Sequence, residues 1–100
     1  MDEPRLLPGR IDFHTKVLTG NNLVVLEVTG KACVDGRDRT GRSVAWLHKE
    51  EFGAEIHDLI REKLNDCFKK IKDFLFNPRA VQYQKIPQEV QQILDSHGDV

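Results

Sequence analysis

From Arg10 the chain alternates. In RIDFHTKVL, Ile11, Phe13, Thr15 and Val17 fall on one side, and Asp12, His14 and Lys16 on the other. This period of two is the signature of a half-buried strand. TGNN at 19–22 is a natural hairpin connection, because Gly and Asn tolerate positive φ. LVVLEVTGKACV, from Leu23 to Val34, is a second and longer strand. Its even positions, Val24, Leu26, Val28, Ala32 and Val34, make one apolar face, while Glu27, Thr29 and Lys31 turn the odd face polar. Gly30 in its middle suggests a bulge or bend. DGRDRTGR at 35–42 then reads as a turn and SVAWLH as a third strand. Hairpin-joined neighbours are antiparallel, so the expected product is a three-stranded meander.

Near Glu50 the period changes from 2 to 3.6. Ile56, Ile60, Leu64, Cys67, Ile71 and Phe74 form a helical stripe, widened by Leu59, Phe68 and Leu75. Asn77-Pro78 stops it, since proline disfavours helical geometry in the residue before it. A helix over 50–76 is about 40 Å long at 1.5 Å per residue. A twelve-residue strand spans about the same length, so the helix can lie along the hairpin. Its start is loosely defined, because Gly53 is a poor interior residue and no N-cap stands out. Beyond it, Pro87 suits the first turn of a short helix. Val90, Ile93 and Leu94 form that helix's apolar face, and Gly98 can end it.

The predicted fold class is α+β: a three-stranded antiparallel meander packed by one long helix in the C-terminal half, with a short terminal helix. Residues 1–9 read as an extended arm, because Pro4 and Pro8 hold their neighbours extended. Residues 10–77 read as a single β-β-β-α domain, and 78–100 as a tail with the short helix.

Composition narrows the classes of function. The 100 residues suit one small domain with a modest core. A net charge of −1 gives no global pull toward nucleic acid or an anionic membrane. The N-terminus lacks an apolar stretch of signal-peptide length, and no run approaches the roughly 18 apolar residues of a membrane span. Cys33 and Cys67 sit on apolar patterns and do not announce a disulfide framework. A soluble, cytoplasmic protein without membrane contact is expected.

Local charge is less even. DGRDRTGR holds Arg37, Arg39 and Arg42, whose planar forks suit phosphates or guanine edges on a protruding ribbon. Asp35, Asp38 and the glycines equally describe a solvated turn, and no aromatic residue lies in the stretch to stack on a base. The long helix is acidic first, through Glu50, Glu51, Glu55, Asp58, Glu62 and Asp66. The stretch 67–80, across its end, is basic through Lys69, Lys70, Lys72 and Arg79. Such polarity complements a helix dipole near its ends, or orients a charged partner.

Chemistry of other kinds finds little footing. His14, His48, His57 and His97 show no compact metal-ligand spacing, so neither a metal nor a cofactor is expected. No nucleophile stands beside a base, and no phosphate-binding glycine loop is present, so the chain reads as non-enzymatic. What remains is excess apolar surface. The helix stripe is broader than one sheet face can cover, and unpaired sheet edges invite strand addition. The expected function is a protein–protein interaction module, as a homodimer or a small subunit or regulator of a larger complex. Its expected partner-binding residues are Arg37, Arg39, Arg42, Leu59, Phe68, Lys69, Lys70, Lys72, Leu75 and Phe76. The alternatives are a nucleic-acid binder using the hairpin arginines and Lys69–Lys72, and a small-ligand site lined by Trp46 between sheet and helix.

Overall fold

Two hairpins build the sheet. Strand β1 (Ile11–Thr19) turns through 20–22 into β2 (Leu23–Val34), and Asp35–Gly36 turns β2 into β3 (Arg37–His48). A single 3-10 turn (Lys49–Glu51) follows, then helix α1 (Ile56–Leu75) and helix α2 (Gln88–Gly98). The computed structural model describes residues 10–77 and 79–98; the arm expected over 1–9 lies outside them. The sheet is antiparallel with order β1-β2-β3, as expected of an α+β meander.

Three local departures from the sequence expectation have clear causes. First, Asp35 and Gly36 have φ of +52° and +75°, so these two residues alone make the turn. The strand therefore begins at Arg37 rather than at Ser43, and RDRTGR is strand rather than loop. Second, β2 carries no bulge at Gly30. The register is continuous, with Gly30 opposite Phe13 on one side and Gly41 on the other. An added Cβ on Gly30 would lie 2.6 Å from Ile71 Cγ2, so the glycine allows close approach of α1. Third, α1 starts at Ile56, not near Glu50. Gly53 separates it from the 3-10 turn, and the Glu51 carboxylate instead accepts the His48 N–H at 2.7 Å.

Both faces of the sheet carry a helix. On one, Val28 and Ala32 pack with Cys67, Ile71 and Leu75 of α1, with Ile11, Val34, Ala45, Leu64, Phe68 and Phe74 around them. On the other, Leu18, Leu23, Val25 and Val44 pack with Val90 and Leu94 of α2, beside Trp46, Ile86 and Ile93. Residues 88–98 thus supply one wall of the core, covering one end of the second sheet face and not the wide stripe of α1. Burial of side chains such as Val25, Leu47 and Ile71, all at 0% exposure, is worth roughly 1.5–3 kcal/mol each against conformational entropy.

Candidate interaction surface

The two edges of the sheet are treated differently. In an antiparallel ladder alternate residues turn their N–H and C=O groups outward. Lys49 N–H donates to the Asn22 carbonyl at 2.9 Å, which sets the phase of the β2–β3 ladder and turns Arg42 and Val44 outward. Both are met by side chains of the segment after α1. Gln82 Oε1 accepts the Arg42 N–H at 2.9 Å, and Gln82 Nε2 donates to the Arg42 carbonyl. Gln84 does the same for Val44, its Oε1 accepting at 2.9 Å and its Nε2 donating to the carbonyl. A glutamine amide has the donor and acceptor of a peptide unit, so QYQ stands in for a fourth strand. Tyr83, between these anchors, and Val81, just before them, point to solvent with 83% and 87% exposure.

The β1 edge has no such cover among the described residues. Gly20 N–H donates to the Leu23 carbonyl at 2.8 Å, so the outward groups here belong to Ile11, Phe13, Thr15 and Val17. The same four side chains lie on the α1 face of the sheet. α1 rests on β2 and β3 and reaches β1 chiefly through Phe13, whose ring centroid is 4.5 Å from that of Phe68. Phe13 stays 39% exposed and Val17 59% exposed. The buried residues of α1, Cys67, Ile71 and Leu75, all fall in its second half. Ile56, Leu59, Ile60 and Leu64 in the first half are only half-buried. An apolar strip therefore runs along an open strand edge beside an incompletely covered helix, the kind of surface that pairs with another chain.

On the opposite face α2 covers only the end carrying Leu18, Leu23, Val25, Val44 and Trp46. The rest is polar: Asp12, His14 and Lys16 of β1, Glu27, Thr29 and Lys31 of β2, and Asp38, Thr40 and Arg42 of β3. Glu27 and Arg42 pair there at 3.1 Å.

The hairpin arginines have separate fates. Arg39 folds back over α1: its Nη1 donates to the Leu75 carbonyl at 3.1 Å, and its guanidinium lies 4.8 Å from the centroid of the Phe74 ring. Arg42 is held by Glu27 through its side chain and by Gln82 through its backbone. Arg37 is exposed at the tip. Among the helix residues, Lys69, Lys70 and Lys72 are exposed and Phe76 is 41% exposed. Leu59 and Phe68 are half-buried, whereas Leu75 is wholly inside the α1 core. The structure does not bring these ten residues into one patch. It disperses them between the core, the hairpin tip and the outer side of α1.

The remaining candidates are simply placed. His14, His57 and His97 are exposed and His48 half-buried, and among the described residues no three His, Cys, Asp or Glu side chains converge on a metal-sized site. Cys67 is buried and Cys33 half-buried, both as free thiols. Trp46 lines an open hollow at the β3 edge with Lys63, Asp66, Cys67, Lys70 and Gln84. No described helix is long and apolar enough to cross a membrane. No known family model matches the chain, and neither a curated protein nor a solved structure is significantly similar to it.

Proposed function

We propose that this protein is a non-enzymatic protein–protein interaction module of the cytoplasm, acting as a dimer or as a small subunit or regulator of a larger complex. The observation that carries the reading is the asymmetry of the sheet edges. The middle of the β3 edge is covered at Arg42 and Val44 by Gln82 and Gln84, whereas among the described residues β1 presents open backbone groups along its length, next to the exposed Phe13 and Val17. Strand addition supplies affinity through main-chain hydrogen bonds and selectivity through alternate side chains. The nucleic-acid alternative is weaker on these grounds, because Arg39 and Arg42 are already engaged within the domain.

A photo-reactive phenylalanine analogue in place of Val17 tests the reading in cells. A discrete protein adduct is expected, lost when Thr15→Pro removes the neighbouring outward N–H. Absence of any protein adduct, or adducts indifferent to Thr15→Pro, overturns the reading.

A further inference from the structure

The outer strand carries a charge pattern that is its own complement. On the polar side β1 shows Asp12, His14 and Lys16 in succession, negative at one end and positive at the other. Reversing the strand about His14 places each Asp opposite a Lys. Resting on the reading of this edge as an interaction surface, we propose that its occupant is a second copy of the chain. Its β1 adds antiparallel to the first, centred on His14, and joins two three-stranded sheets into one of six strands.

The register follows from two constraints, the phase of the outward backbone groups and the charge pattern. Outward backbone groups on β1 belong to the odd-numbered residues Ile11, Phe13, Thr15 and Val17. A ladder can form only if odd residues of one copy face odd residues of the other, so registers that set odd against even are excluded. A two-fold axis through His14 meets this condition: Phe13 pairs with Thr15 of the second copy and Ile11 with its Val17, each reciprocally. The same axis sets Asp12 across from Lys16 of the second copy, twice. Shifting the axis to Thr15 would set His14 across from Lys16 and Asp12 across from Leu18, forfeiting both ion pairs. The other face is compatible with this register. The His14 register aligns Ile11 and Phe13 with Val17 and Thr15, so the 39% exposed Phe13 and the 59% exposed Val17 become interior to a continuous six-stranded surface flanked by both α1 helices.

Lys16 alone on an edge would discourage pairing, as edge lysines do. Asp12 at the matching position converts that deterrent into selection for one register, since directly opposed unlike charges are favourable and like charges are not. The Arg10–Asp12 pair offers little competition, because at 3.9 Å its side chains are 68% and 58% exposed. An interface that maps one surface onto itself closes as a dimer and does not polymerise.

Sedimentation velocity over a concentration series tests the proposal on the full chain. The wild type is expected to dimerise. Lys16→Asp and Asp12→Lys should each raise the dimer dissociation constant by roughly tenfold or more, because each sets two like-charged pairs face to face. The Asp12→Lys/Lys16→Asp double variant should recover dimerisation, and mixing the two single variants should yield a heterodimer. Thr15→Pro should abolish dimerisation while circular dichroism remains native, because its N–H points away from β2 in the monomer. A wild type that stays monomeric at every concentration overturns the proposal. So does a dimer insensitive to both the charge exchanges and Thr15→Pro. A monomer that still yields a Val17 adduct with a different protein would overturn the self-pairing alone and leave the interaction reading standing.

Discussion

Gly30 of β2 stands directly across the ladder from Gly41 of β3, and together they form the floor on which Ile71 of α1 rests. A Cβ built on Gly30 lies 2.6 Å from Ile71 Cγ2 and 3.1 Å from the Phe13 ring; one built on Gly41 lies 3.2 Å from Ile71 and Phe74. Ile71 is β-branched, fully buried and fixed in the second half of α1, so it has little room to yield. Gly30→Ala is therefore expected to destabilise the fold by about 1–3 kcal/mol through overpacking, with Gly41→Ala costing less. Urea denaturation of the two variants provides the check.

The glutamine cover of β3 makes a second prediction. Gln84→Ala removes two hydrogen bonds from the Val44 backbone, which lies partly buried. At about 0.5–1.5 kcal/mol for each bond, a loss of about 1–3 kcal/mol is expected. Gln84→Glu should not restore it, because a carboxylate cannot donate to the Val44 carbonyl. Amide exchange at Val44 should accelerate in Gln84→Ala, which loses the acceptor of its N–H, and less in Gln84→Glu, which keeps one, while exchange at Ser43, whose N–H faces β2, should follow global stability only.

The hairpin arginines should separate by their contacts. Arg39→Ala deletes a cap on the Leu75 carbonyl and the stacking on Phe74. A loss of about 1–2 kcal/mol and fraying of the last turn of α1 are expected. Arg37→Ala, at the exposed tip, should change stability by less than about 0.5 kcal/mol. Thermal melts of the pair distinguish the two roles, and equal effects would contradict the assignment.

Much of the architecture is written in the periodicity. Alternation over 11–17 and 23–34 gives two strands. The 3.6-residue stripe that includes Ile60, Leu64 and Ile71 gives the long helix, and Pro87 with Val90 and Leu94 gives the short one. The meander order then follows from short connections. The functional surface is harder to read from the chain, for physical reasons. Arg39 reads as a free basic residue until the turn is shortened to Asp35–Gly36. That adds six residues to β3 and carries the guanidinium back over the C-terminal end of α1. Leu75 reads as part of an apolar excess because the width of the stripe does not reveal how deeply the helix sinks. The depth is set by Gly30 and Gly41, glycines on different strands that only the register brings together. Gln82 and Gln84 look like loop polarity, since their partners are backbone groups that no side-chain pattern discloses. The antisymmetric order Asp12, His14, Lys16 is visible in the sequence, but it gains meaning only once β1 is known to be an edge and the phase of its hydrogen bonds is known.

Amide hydrogen exchange along β1 reads the pairing most directly. In the wild type at concentrations where the dimer forms, the outward amides of Phe13, Thr15 and Val17 should be protected as strongly as the inward amides of His14 and Lys16, and dilution should remove that protection from the odd residues alone. If Phe13, Thr15 and Val17 exchange at solvent rates at every concentration while His14 and Lys16 remain protected, β1 is a free edge and the pairing is contradicted.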